Sequence, residues 1–174
     1  APSEMCIRDS HRVHQTTPFK NWSIPESSCP IQTLTLDCAL MDISAVTKII
    51  STMRALRNFM YIRTLETWEP FSGEDNVLSR WPSHSWQPLG DALRKHRDSL
   101  ETVVTWDLSD KELINIRHPD GYDPGTLGSF LDFPNLKNCG GPVEAFLDVA
   151  AGEEDFSLYL PPTLSKFCLL YTSL

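Results

Sequence analysis

The chain has no apolar run near the ~20 residues that a membrane-spanning helix needs. Its 15 Lys and Arg face 23 Asp and Glu, for a net charge of −8. That balance is a poor match for a nucleic-acid backbone or an anionic lipid surface. The early stretch contains Arg8, Asp9, His11 and Arg12 and offers no secretory apolar core. Serine-hydrolase elbows, Walker A loops, the glycine fingerprint of dinucleotide sites and the H-E-x-x-H zinc helix are all missing. The absences exclude the common catalytic classes and leave no cofactor, no nucleic acid and no membrane as expected partners. They place the chain in the cytoplasm or nucleus and predict that it is not an enzyme.

The two ends stand apart from the rest. Met5-Cys-Ile-Arg-Asp-Ser10 can be encoded by ATG TGT ATA AGA GAC AGC or AGT. The reverse complement of the shared part, CTGTCTCTTATACACAT, read from its second base, gives Cys-Leu-Leu-Tyr-Thr, the peptide that starts at Cys168. One DNA element in opposite orientations thus accounts for both peptides, and it resembles the transposon end used to fragment DNA for sequencing. Residues 1–10 and 168–174 are therefore read as artefactual scars, residues 11–28 as a polar lead-in, and residues 29–167 as the domain. Cysteine then becomes scarce: Cys29, Cys38 and Cys139 remain, dispersed and without a C-x-x-C pair, which suits a reducing compartment. The remaining insert is expected to be a fragment of a longer array.

What the chain does contain is one phrase written repeatedly: an aliphatic residue, two free positions, an apolar residue, one more, then another apolar residue. It stands as Ile31-Gln-Thr-Leu34-Thr-Leu36, Leu56-Arg-Asn-Phe59-Met-Tyr61 and Leu100-Glu-Thr-Val103-Val-Thr105, and more weakly from Leu136 and Leu164. This is the strand signature of leucine-rich repeats. The starts are 25, 44, 36 and 28 residues apart. Two gaps fit repeats of ~20–29 residues, and two need insertions. The long gaps hold Pro70, Gly73 and Pro82, then Pro119, Gly121, Pro124 and Gly125, and read as loops.

Between the first two phrases, Asp42 is placed to cap a helix over Ile43–Met53, with Val46, Ile49, Ile50 and Met53 on one face. A second helix is predicted from Leu89 to His96, with Leu89, Ala92 and Leu93 inward and Arg94, Lys95 and Arg97 in water. Residues 127–136 are too interrupted for a helix, with Pro134 marking a break, and read as a 3₁₀ turn. The phrase from Leu136 runs into Gly140 and Gly141, which weaken strand structure. Helix then strand in repetition implies an α/β fold: a leucine-rich-repeat-like solenoid with short parallel strands on one face, helices and irregular loops on the other.

Three phrases point to a family. Ala92-Leu-Arg-Lys-His-Arg-Asp-Ser-Leu-Glu101, Leu127-Gly-Ser-Phe-Leu-Asp-Phe-Pro-Asn-Leu-Lys137 and Leu160-Pro-Pro-Thr-Leu164 resemble, in order and spacing, successive signposts of fungal F-box proteins with degenerate leucine-rich repeats. The resemblance covers residues 29–167, and Pro30 to Tyr61 looks like that family's opening repeat. Thr105, Gly140 and Gly141 depart from it, standing where apolar strand residues are expected. The resemblance implies a substrate-recognition arm of a cullin-type ubiquitin ligase. A protein substrate would bind the repeat face, and the ligase adaptor would bind only through an F-box not seen in this fragment. The alternatives are a repeat adaptor with no link to ubiquitin and, less favoured, a small hydrolase or metal enzyme.

His11 and His14 lack supporting ligands and read as a solvated tail. His96, before Asp98, reads as a cation complementing a helix C-terminus. Asp120 to Asp123 and Glu153 to Asp155 read as acidic loops with too few oxygen ligands for calcium. Asn21-Trp-Ser23 spells a glycosylation sequon that would go unused in the cytoplasm or nucleus. The candidate protein-binding residues are Trp68, Phe71, Trp81 and Trp86, since Trp is favoured at binding hot spots. Packing over the end of the sheet is the competing reading for these four aromatics.

Overall fold

The computed structural model describes residues 4–8, 23–37, 41, 43–63, 85–107, 125–148 and 155–170. These residues form an α/β unit with an open, all-parallel sheet and two helices. The strands are β1 (Glu4–Arg8), β2 (Thr33–Asp37), β3 (Asn58–Arg63), β4 (Thr102–Asp107), β5 (Asn138–Pro142) and β6 (Lys166–Leu170). They lie side by side in chain order. Helix α1 (Ile43–Thr52) links β2 to β3, and α2 (Trp86–Arg94) precedes β4.

One hydrogen-bond arrangement recurs at every junction from β2 onward. The Gln32 carbonyl accepts from both Arg57 N–H (2.8 Å) and Asn58 N–H (3.0 Å). The Arg57 carbonyl does the same for Glu101 and Thr102, the Glu101 carbonyl for Lys137 and Asn138, and the Lys137 carbonyl for Ser165 and Lys166. A single oxygen thus fixes where the next strand begins. Parallel partners follow in step, Thr33 with Asn58, Asn58 with Thr102, Thr102 with Asn138, and Asn138 with Lys166. The junction is indifferent to how many residues were used to return. Ser99 Oγ and Thr163 Oγ1 make the same contact at the β3–β4 and β5–β6 junctions, donating to the carbonyls of Leu56 (2.8 Å) and Leu136 (3.1 Å).

Residue type decides the two faces. Leu34, Leu36, Phe59, Tyr61 and Val103 alternate inward and are fully buried or nearly so, joined by the leading Leu56, Leu100 and Leu136. Val46, Ile49, Ile50 and Met53 of the first helical stretch are buried against them, as their 3–4 spacing predicts. Asp42 lies outside the described residues. Helix α2 begins three residues earlier than expected, at Trp86, and buries Leu89, Ala92 and Leu93. Arg94 is not simply solvated: its guanidinium donates to the Leu127 carbonyl (2.8 Å) and pairs with Asp91 (2.6 Å). Gly90 lets that chain segment lie directly on the helix, because a Cβ there would collide with the Leu127 carbonyl.

Under β5 and β6 the helical layer gives way to phenylalanines. Phe133 N–H bonds Phe130 O, and Leu136 N–H bonds Phe133 O, a 3₁₀-like path consistent with Pro134. Phe130 packs edge-on against Phe133 at 4.8 Å, and Phe146 against Phe167 at 5.5 Å. Phe156 completes the row on Phe167 at 5.1 Å. Such pairs fill the volume that a helix fills elsewhere. β5 forms despite its two glycines. Gly141 packs so close to β4 that a Cβ would sit 2.6 Å from the Thr105 carbonyl oxygen.

Both segments set apart by their sequence supply edge strands. Glu4–Arg8 pairs with β2, and Cys168 to Leu170 complete β6. Pairing uses main-chain groups, which any extended segment of β-compatible residues presents. Of the loops anticipated over residues 64–86 and 107–125, residues 64–84 and 108–124 lie outside the described residues, while at the margins Trp86 opens α2 and Asp107 ends β4.

His96 corrects a sequence expectation. It is 5% exposed, its Nε2 lies 3.1 Å from the Ile50 carbonyl, and its Nδ1 accepts from Leu56 N–H at 3.4 Å. An imidazole that donates at one nitrogen and accepts at the other is neutral, not the helix-end cation expected. Burial, above all, holds its pKa below the ordinary value; the Ile50 carbonyl opposes this and the Lys95 ammonium adds to it. Because the folded form resists protonation, the protein should be at full stability above pH ~6.5 and lose stability as pH falls below it. The slope should be at most about 1.4 kcal/mol per pH unit from this group. Urea unfolding of His96→Gln across that range should show the slope removed; an unchanged slope would assign it to other groups.

Candidate protein-interaction face

Residues that alternate with the core positions form the outward face of the sheet. On β2 to β5 these are Thr33, Thr35 and Asp37, then Asn58, Met60 and Ile62, then Thr102, Val104 and Trp106, then Asn138, Gly140 and Pro142, with Asp37 the one charged residue among them, and β6 adds the exposed Lys166. In a chain that is 22% charged, such a face is selective. It offers hydrogen bonding and apolar contact with little long-range field.

The face is organised in rows because the strands are in register. The first row is a polar ladder: Asn58 Nδ2 donates to Thr33 Oγ1, and Asn138 Nδ2 donates to Thr102 Oγ1, both at 3.2 Å. Each asparagine reaches back one strand to a threonine, so the row is held by side chains as well as by main chain. The second row is Thr35, Met60, Val104 and Gly140. Gly140 has Cys168 of β6 as its nearest neighbour, 3.1 Å from where a Cβ would stand, leaving a shallow dent between Val104 and Cys168. The third row pairs Ile62 with Trp106. Behind the ladder lies a charged margin, with Glu101 between Arg57 (2.9 Å) and Lys137 (3.5 Å).

Two polar atoms near this face are buried without a partner, Thr105 Oγ1 and Trp106 Nε1. Thr105 is fully buried at a position where its strand calls for an apolar side chain, and Gly141 presses against its hydroxyl. The departure noted in the sequence is therefore a real local cost. Removing the hydroxyl by Thr105→Val should stabilise the fold by about 1 kcal/mol, since an unsatisfied buried hydroxyl costs ~1–3. Calorimetric melting is the check, and a lower Tm would show that the hydroxyl has a partner in solution.

Of the four aromatic candidates, Trp86 is 3% exposed and its ring belongs to the core at the start of α2. Its large area goes to packing. Trp68, Phe71 and Trp81 lie outside the described residues. The face residues Asn58, Met60, Val104 and Asn138 escaped sequence reasoning, although the free positions of each phrase were the signal that could have found them. Among the described residues no group of three or more His, Cys, Asp or Glu could hold a metal. Burial pushes the Cys139 thiol up to about 12, far from nucleophilic range. The groove of about 370 Å³ between α1 and α2 is wide and open, lined by Ser44, Thr47 and Lys48 among others, with Lys95 and Glu26 3.8 Å apart at its rim. No described helix is long and apolar enough to cross a membrane.

Compared with protein-family models, with curated proteins and with solved structures, the chain matches none.

The two ladder bonds stand two strands apart, about 10 Å. Asn58→Ala and Asn138→Ala should each cost about 1 kcal/mol in urea unfolding, and the double variant should cost their sum within ~0.5. A strongly non-additive double variant would mean that the ladder acts as one coupled unit.

Proposed function

We propose that this chain is a protein–protein interaction scaffold, a leucine-rich-repeat-like solenoid whose outward strand face receives the partner. The supporting observation is the junction in which one carbonyl oxygen accepts from two successive amides, repeated four times at unequal chain spacings. A fold that holds strand register constant while its return segments vary presents one continuous face and leaves its connections free to diverge. The face it presents is broad, nearly uncharged and built from residues suited to contact rather than to bond-making.

On the sequence resemblance, the partner would be a protein destined for ubiquitination. The chain would then be the substrate-recognition repeat region of an F-box-type receptor, acting without catalysis of its own, in the cytoplasm or nucleus. The F-box would engage the ligase adaptor from elsewhere in the full protein.

A two-hybrid selection against fungal open reading frames tests both levels. Partners found with the chain should be lost with Met60→Glu/Val104→Glu, provided circular dichroism shows the variant folded, because two buried carboxylates would oppose binding at the centre of the face. Partners that survive the double variant would move the site elsewhere. The half-life of a face-dependent partner should lengthen in cells carrying the variant. An unchanged half-life would favour an adaptor role without ubiquitin.

A further inference from the structure

The outward face repeats itself on every second strand. Asn58 of β3 and Asn138 of β5 hold the same place, each bonded to a threonine of the preceding strand, Thr33 or Thr102. One position earlier, Arg57 and Lys137 also stand at alternate strands, with Glu101 between them at 2.9 and 3.5 Å. Alternate strands of a sheet are about 9.4–9.8 Å apart. Two amides and two cations are thus presented at one common spacing.

None of these groups is used up within the chain. Each asparagine donates one amide hydrogen to its threonine and keeps a second hydrogen and the Oδ1 oxygen. The buried polar atoms without a partner are others, so these amides open to solvent. Arg57 and Lys137 share a single carboxylate, and their side chains stay 53% and 59% exposed. The margin therefore carries surplus positive charge in a chain of net charge −8. On the other side of the amides, Met60 and Val104 pair across β3 and β4 and are only half-buried. A cationic row, an amide row and an apolar row run in parallel across the strands.

The spacing selects the ligand's backbone. An extended β segment returns to the same side every second residue, about 6.6 Å, and so misses every second strand. An α-helix has its carbonyls bonded internally and offers the asparagines nothing of its main chain. A polyproline II segment returns every third residue, about 9.3 Å, and its carbonyls are all free.

We propose that the strand face binds a proline-rich segment of a partner protein in the polyproline II conformation, lying across the strands, with an acidic residue at every third position. Carbonyls three residues apart accept from Asn58 and Asn138, proline rings rest on Met60 and Val104, and the acidic ridge faces Arg57 and Lys137. Resting on the reading of this face as the binding surface, it adds the partner's local shape and charge. Such a segment is already ordered before it docks, which lowers the entropy lost on binding.

Fluorescence anisotropy of the full chain with a labelled (Pro-Glu-Pro)₄ peptide is the test. The controls are (Pro-Lys-Pro)₄ and a peptide of the first one's composition with its glutamates at irregular intervals. The first peptide should bind saturably and both controls at least about five-fold more weakly. Asn138→Ala should weaken binding about five-fold while circular dichroism stays unchanged. The charge-inverted chain Arg57→Glu/Glu101→Lys/Lys137→Glu should prefer the lysine peptide, a switch that misfolding could not produce. Equal binding of the three peptides, no saturable binding of the first, or an inverted chain that keeps the glutamate preference would overturn the proposal. The scaffold reading is judged separately, by partners lost with Met60→Glu/Val104→Glu, and stands or falls without the peptides.

Discussion

The structure depends on one shared acceptor. At each junction from β2 to β6 a carbonyl oxygen one residue ahead of its own strand takes two amide protons from the start of the next. Each such oxygen supplies a partner to two main-chain amides at the strand entrance. Satisfying two of them with one oxygen also sets the axial position of the incoming strand. Register is thus set by main-chain bonds at the strand entrance as well as by side chains. The hydrophobic alternation then reinforces it, because a one-residue slip would exchange the core row for the outward row.

Everything on the outward face follows from that lock. Asn58 can reach Thr33, and Asn138 can reach Thr102, because the rows are aligned. Met60 and Val104 form one surface for the same reason. On the inner side the requirement is weaker: the space must be filled, by any apolar shape. Two helices fill it early in the chain, while phenylalanines fill it later, where Pro134 prevents a helix. His96 shows how one polar residue can serve this layer. As a neutral ring it joins the end of α1 to the entrance of β3 and satisfies an amide that the leading leucine buries.

Much of this was legible in the chain. The phrases from Ile31, Leu56, Leu100, Leu136 and Leu164 mark the five strands β2 to β6, and the 3–4 spacing marks α1, since burial leaves a direct imprint on residue order. β5 was harder, because Gly140 and Gly141 lower strand propensity, and only the close approach to β4 explains why glycine is tolerated there. His96 was misread as a cation because its burial comes from residues 40 and 46 positions away. The face was harder still. Its residues occupy the free positions of the phrase, where no pattern constrains them, and their chemistry becomes visible only when rows are aligned. Glu4–Arg8 is set aside in the sequence because one DNA element could encode both end peptides, whereas strand pairing responds only to backbone and residue type.

The most direct test of the register lock is amide hydrogen exchange read residue by residue. Arg57, Asn58, Glu101, Thr102, Lys137 and Asn138 should exchange as one slow set, opening only with global unfolding. Rapid exchange at these six amides, with the helices still protected, would contradict the shared-acceptor account and remove the basis for a continuous binding face.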